Sequence, residues 1–190
     1  GPFLVTMTFE QAPHKLLMIP GPIEVADDVL YANAHPAMAH VAPQFVPVFG
    51  EVLTNLRKVV NASKDAQPLA IAGSGTMGWD MTALNVLQPG EEVLVLQTGY
   101  FSDGFADALN AYGVKTTKLE APVGKRPTID EIKNALKQKK YRAVTITHVD
   151  TSTGVLSDVK AIGEAVREVS PETLVLLDAV CSVASEQLRF

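Results

Sequence analysis

At 190 residues, with 47% hydrophobic and 19% charged side chains, the chain is long enough to fold as one domain around a real core. Sixteen basic residues against 21 acidic ones leave a net charge of −5, which argues against nucleic acid as a partner, because phosphate backbones recruit basic patches. The longest apolar runs are far shorter than a bilayer crossing, so no transmembrane helix is expected. The single cysteine, Cys181, leaves no internal disulfide and points to a reducing compartment.

Residues 1–24 read as a cloning remnant, Gly1 to Thr6 ahead of Met7, followed by an arm. Pro13, Pro20 and Pro22 forbid a continuous helix there. The apolar run from Leu16 ends in a Pro20-Gly21-Pro22 turn. It packs over its own domain or a partner subunit, or else Gly21 brings backbone close to a ligand. From residue 25 onward a globular domain is expected. Asp27-Asp28 open a short helix to about Ala34, which His35-Pro36 breaks. His40, ahead of Val41, reads as a structural loop histidine.

Phe45, Phe49, Val52, Leu53, Leu56, Val59 and Val60 follow helical spacing, with Pro47 in the first turn and both phenylalanines expected in the core. Asn61-Ala62-Ser63 is a chance glycosylation sequon. Leu69 to Ala72 reads as a strand that runs into the small-residue loop Gly73-Ser74-Gly75-Thr76-Met77-Gly78, and Met77 to Leu87 as a helix. Val93 to Leu96 is a fully apolar run that suits a strand buried on both faces. A loop at Thr98 to Phe101, a helix from Ser102 to Tyr112 closed by Gly113, and a strand from Val114 to Leu119 follow.

Thr128-Ile129-Asp130-Glu131 is a capping box opening a helix to about Lys139, and Lys137, Lys139 and Lys140 form its solvated end. Arg142 to His148 is a strand, and Asp150 to Gly154 a polar loop. A helix capped by Ser157 or Asp158 reaches Val169, and Thr173 to Leu177 is a buried strand ending at Asp178. The repeating βα pattern predicts an α/β fold with a mostly parallel sheet and helices on both faces.

Strand, small-residue loop and helix start at Gly73 to Asp80 are how such a fold offers backbone N–H groups to a phosphate. Ligands bind outside the carboxyl ends of the strands. Four such ends carry polar groups here: Ser74 to Thr76, Thr98 to Phe101, Asp150 to Thr153, and Asp178. Gly73-x-Gly75-x-x-Gly78 fits a dinucleotide fingerprint, which would make an NAD-dependent oxidoreductase. That site needs an acid at the end of the second strand, where this chain has Leu96-Gln97-Thr98-Gly99, and Asp103 comes late. Pyridoxal phosphate uses each strand end. Ser74, Gly75 and Thr76 suit the phosphate, Phe101 the ring face, and Asp178 the ring nitrogen. Taken alone, Asp178 reads equally as a loop cap and Phe101 as a core side chain.

Ile19-Pro20-Gly21-Pro22, Ala72 to Thr76, Thr147 to Gly154 and Asp178-Ala179-Val180-Cys181-Ser182 resemble the alanine–glyoxylate aminotransferases, in particular the fungal form. These belong to the class V, fold-type I pyridoxal phosphate enzymes, and the resemblance spans about residues 16–190. It implies that Ser74, Gly75 and Thr76 hold the cofactor phosphate and that Phe101 stacks on the ring, where many relatives have tryptophan. It implies that Ser152, with Thr151 beside it, hydrogen-bonds near the ring oxygen and the substrate. Asp178 then pairs with the ring nitrogen, Val180 packs on the other face, and Gly21 approaches the substrate. Val41 stands where many relatives have a basic residue, so His40 is given no substrate role.

The activity implied is transfer of the amino group of L-alanine to glyoxylate, giving pyruvate and glycine. A homodimer formed through the arm and the large domain is implied, as is an intracellular site, cytoplasmic, peroxisomal or mitochondrial, with no metal. The lysine that bonds to the cofactor lies in the family beyond Asp178, and Lys137, Lys139, Lys140 and Lys160 do not match its setting. The chain is therefore expected to be a truncated large domain without the catalytic lysine and small domain, inactive by itself. Serine in place of alanine as donor, a non-catalytic interaction fragment and a cysteine desulfurase-like enzyme are the alternatives. The last is disfavoured because Cys181 reads as a buried small residue and not as a nucleophile.

Overall fold

Leu94, Leu96, Val144 and Ile146 alternate along their strands with Val93, Val95 and Ala143, and each set meets a different group of helices. The strands are β1 (Glu92–Leu96), β2 (Lys115–Leu119), β3 (Ala143–Thr147) and β6 (Leu174–Asp178), paired in the order β2-β1-β3-β6 and all parallel. The computed structural model describes residues 9–188, so the expected remnant at 1–6 lies outside the described residues. Two compact units divide the chain, Gly1–Asn55 and Leu56–Phe190.

In the second unit, one face of the sheet packs on α3 (Gly75–Val86) and α4 (Tyr100–Ala111) through Ala83, Phe105, Ala106 and Leu109. The other face packs on α5 (Ile129–Gln138) and α6 (Val159–Val169) through Ile132, Leu136, Ile162 and Val166. The expected parallel sheet with helices on both faces is the fold observed. Thr128 caps α5 reciprocally with Glu131, whose carboxyl the Thr128 amide and hydroxyl hold below its ordinary range. Asp158, rather than Ser157, caps α6 through the Ala161 amide.

Several expectations are corrected. Leu69 to Ala72 forms no strand, and Leu69 and Ile71 are exposed, because no strand among the described residues lies beside them to complete a ladder. Strand β6 is not buried. Among the described residues it lies at the sheet edge with β3 alone beside it, and Leu174 and Val175 remain 36% and 40% exposed. Tyr100 and Phe101 are not loop residues but the first turn of α4. The Ser102 hydroxyl accepts from the Thr98 and Gly99 amides and donates to the Gly99 carbonyl, which starts the helix two residues early. The strand at Arg142 to His148 is followed by a small antiparallel hairpin, β4 (Val149–Asp150) with β5 (Val155–Leu156), whose turn contains Gly154 at φ +68°.

The first unit holds α1 (Asp27–Ala32) and the start of α2 (Phe45–Val59). Phe45 and Phe49 are not core. They stack on each other at 5.9 Å, and α2 buries none of its residues. Among the described residues no helix is long and apolar enough to cross a membrane.

Candidate functional site

The amino end of α3 is capped by Ser74, whose hydroxyl accepts from the Met77 amide and lies 2.8 Å from the Thr76 hydroxyl. Among the described residues the amides of Gly75 and Thr76 have no acceptor, so two N–H groups and two hydroxyls are grouped at one helix N-terminus. Val180 stands beside this cradle, 3.7 Å from where a Gly75 side chain would begin, and its own side chain is 72% exposed.

Asp178 ends β6 two residues earlier. Its Oδ1 accepts from the Val180 amide at 3.0 Å and its Oδ2 from the Trp79 indole at 2.9 Å. Trp79 lies in α3 and stacks on Phe105 of α4. Gly75, Asp178 and Val180 are therefore brought together, as expected. Trp79 was not foreseen, although a half-buried indole needs an acceptor for its N–H and this is the one tryptophan in the chain.

The third wall is built on Asp150, which has no exposed surface. Its Oδ1 accepts from the Ser152 amide and hydroxyl, and its Oδ2 from the Ser102 amide in the first turn of α4. The Ser152 hydroxyl in turn accepts from the Tyr100 amide at 2.9 Å, and the Thr153 hydroxyl donates to the Thr98 carbonyl. The start of α4, which carries Phe101, is thus tied to the 151–154 turn by three side chains. Ser152 has a single hydroxyl proton, and it goes to Asp150. Among the described residues the Thr151 hydroxyl makes no hydrogen bond and buried Thr98 Oγ1 has no partner. Phe101, 36% exposed, meets Tyr100 edge-on.

Asp103, the acid that a dinucleotide site would have to use, is committed elsewhere. Burial pushes its carboxyl up, but hydrogen bonds from Lys118 and Gln97 outweigh this and hold it below the ordinary range. Cys181 is half-buried rather than buried, because it follows β6 in a surface turn. Gly21 is exposed and belongs to the first unit. A cavity of about 850 Å³ lies between α6 and the exposed flank of β6, and none of the expected site residues lines it.

Residues 26–190 match the model of the family described as "Aminotransferase class-V". The chain belongs to the class-V aminotransferase family. It is 45% identical over 180 residues to alanine–glyoxylate aminotransferase 1 of Saccharomyces cerevisiae, covering 92% of this chain and 47% of that protein. It is 32% identical over 176 residues to L-aspartate–glyoxylate aminotransferase of Paracoccus denitrificans, covering 91% of this chain and 44% of that one. The crystal structure of alanine–glyoxylate aminotransferase from Nostoc sp. matches with a TM-score of 0.86 and 29% identity, covering 94% of this chain and 47% of that one. The chain spans about half the length of the curated relatives it matches.

Class-V aminotransferases use pyridoxal 5′-phosphate, and the strand ends fit that group in chemistry. The helix N-terminus offers neutral donors to a phosphate, Asp178 offers a carboxylate, and exposed Val180 and Phe101 offer apolar surface.

His148 supports the site from beneath. It is 5% exposed, its amide donates to the Asp178 carbonyl, and its Nδ1 lies 2.9 Å from the Ser182 hydroxyl. Burial pushes the imidazole below its ordinary 6.5, against the pull of nearby Glu186. The unfolded chain therefore takes up a proton that the folded chain resists. The stability linked to His148 is complete above about pH 6.5 and is lost as the pH falls below it. Melting temperatures from about pH 7.5 to about pH 5.5 are expected to fall less steeply for His148→Gln than for the unaltered protein.

Proposed function

We propose that the full-length protein is a pyridoxal phosphate-dependent aminotransferase that moves the amino group of L-alanine to glyoxylate, giving pyruvate and glycine, and that it acts as a homodimer. The observation that carries this reading is Asp178 held at both carboxylate oxygens beside the capped N-terminus of α3. When bound, the cofactor supplies an electron sink for bonds to the α-carbon of an amino acid. The role of the protein is to hold it. The amides of Gly75 and Thr76 and the hydroxyls of Ser74 and Thr76 bind the phosphate. Asp178 keeps a proton on the ring nitrogen, and Phe101 and Val180 enclose the ring.

Ser152 and Thr151 divide the work at the ring oxygen. The Ser152 hydroxyl holds Asp150 and the Tyr100 amide, so the free hydroxyl of Thr151 is the one that donates to the cofactor. Thr151→Val is expected to weaken cofactor binding about tenfold with little change in unfolding midpoint, whereas Ser152→Ala lowers the midpoint. Cofactor titration and urea unfolding of the two variants separate the roles.

Glyoxylate is common to the printed names of the relatives compared above, whereas the donor changes from alanine to aspartate. The acceptor is therefore better supported than the donor, and serine remains the second donor reading. The test is performed on the full-length protein. Pyridoxal phosphate is expected to raise the melting temperature and NAD to leave it unchanged. Turnover of glyoxylate is then compared with alanine, serine and aspartate as donors. No turnover with any of the three sinks the aminotransferase reading, and faster turnover with serine replaces the donor.

A further inference from the structure

Trp79 is the only tryptophan of the chain, and the roles above give it none. It lies one turn into α3, with its ring stacked on Phe105 of α4 at a centroid distance of 5.6 Å and an interplanar angle of 12°. Gly104 of α4 faces the same ring, and a side chain there would come within 3.1 Å of it. Packing against α4 alone would be served by any large apolar side chain. The indole adds one polar atom, and that atom donates to Asp178 Oδ2 at 2.9 Å, from 99 residues away in sequence.

A carboxylate pinned at one oxygen can still turn about its Cβ–Cγ bond. Asp178 Oδ1 is pinned by the Val180 amide, a donor within its own turn. The Trp79 N–H pins the other oxygen from a different element, and two donors on two oxygens fix the plane of the group. One lone pair on each oxygen then remains for a third partner. Trp79 also shares its helix with Ser74, Gly75 and Thr76, three to five residues earlier. The phosphate cradle and the donor that orients Asp178 are therefore parts of one rigid segment.

We propose that Trp79 is a positioning residue that fixes the Asp178 carboxylate in the plane in which it meets the cofactor ring nitrogen, and that sets this plane relative to the phosphate cradle through α3. The proposal rests on the pyridoxal phosphate reading above. It predicts that the Trp79 N–H matters only through Asp178, not through the stability of α3.

The experiment uses the full-length protein and the variants Trp79→Phe, Asp178→Asn and their combination. Phenylalanine keeps a ring for Phe105 and removes the donor. Cofactor dissociation constants are measured by absorbance titration, melting temperatures on the apoprotein, and kcat and KM with alanine and glyoxylate. Trp79→Phe is expected to weaken cofactor binding about tenfold, to shift the absorption band of the bound cofactor, and to lower kcat with KM unchanged. In the Asp178→Asn background it is expected to have no further effect on cofactor binding, because the group it orients is already altered.

Equal losses in the two backgrounds overturn the proposal and leave Trp79 a packing residue. So does a lower apoprotein melting temperature with unchanged cofactor affinity. If Trp79→Phe fails to fold, Gly104→Ala crowds the indole without removing its N–H. It is expected to weaken binding about threefold, again only when Asp178 is intact, and the same loss in both backgrounds overturns the proposal. Absence of cofactor binding to the unaltered protein overturns the pyridoxal phosphate reading itself and this proposal with it. Binding that ignores Trp79 overturns this proposal alone.

Discussion

Replacing Asp150 by asparagine is expected to cost about 2–3 kcal/mol of folding stability and to loosen the cofactor site with it. The side chain keeps its shape but loses one acceptor. Oδ2 of Asp150 serves the Ser102 amide, while Oδ1 serves the amide and the hydroxyl of Ser152. An asparagine can turn its oxygen toward one side only, and its NH2 then faces a buried N–H on the other. The Ser152 hydroxyl could rotate to accept, but the Tyr100 amide already donates to it, and the Ser152 amide cannot rotate at all. One amide is left without an acceptor in a place with no exposed surface, and the negative charge that favours the N-terminus of α4 is lost. The urea midpoint measures the stability loss, and a cofactor titration measures the displacement of Phe101 and Thr151. An unchanged midpoint would mean that the turn at 151–154 holds α4 without the carboxylate.

The sequence makes plain what is decided within one turn of chain. The capping box at Thr128 and Glu131, the cap at Asp158, the apolar run at Val93 to Leu96 and the Gly113 stop each act on neighbours a few residues away, and each is where the pattern puts it. Alternation and βα order are enough for a parallel sheet covered on both faces. What the pattern cannot carry is the identity of the neighbour. Leu69 to Ala72 and Thr173 to Leu177 are both apolar, yet the first pairs with nothing described and the second lies at an edge, since burial depends on strand order. Phe45 and Phe49 mark an apolar helix face without saying what covers it.

The site divides in the same way. Ser74, Gly75, Phe101, Asp178 and Val180 are legible because each stands at a strand or helix end. The bonds that fix them are not, because Trp79 reaches Asp178 across 99 residues and Asp150 reaches Ser102 across 48. The early start of α4 follows from one such reach. A serine three residues past a glycine could cap the chain from either side, and the choice falls to Asp150, which takes the Ser102 amide and leaves its hydroxyl for Thr98 and Gly99.

Gly99→Ala is the substitution expected to damage this region most. The backbone at Gly99 is extended, with φ 165°, so an alanine meets no conformational penalty of the left-handed kind there. The obstacle is contact. A methyl group would start 2.6 Å from Asp150 Oδ1, 2.7 Å from its Cγ, and closer still to the Ser152 hydroxyl. Neither neighbour can swing away cheaply, because the carboxylate is held by three donors and the hydroxyl by Asp150 and Tyr100. The chain must move α4 or break the cluster, at a cost of about 3 kcal/mol from overpacking together with the lost hydrogen bonds.

Gly163→Ala is the control. It lies within α6, with nothing within 4 Å of the added carbon, and is expected to stabilise the protein by about 0.5–1 kcal/mol through helix propensity. Unfolding midpoints of the two alanine variants should therefore move in opposite directions. Cofactor affinity should fall for Gly99→Ala alone, because only that methyl displaces the first turn of α4 from the 151–154 turn. If Gly99→Ala unfolds at the unaltered midpoint, Asp150 and Ser152 have room to withdraw, and the rigidity assigned to this wall of the site is wrong.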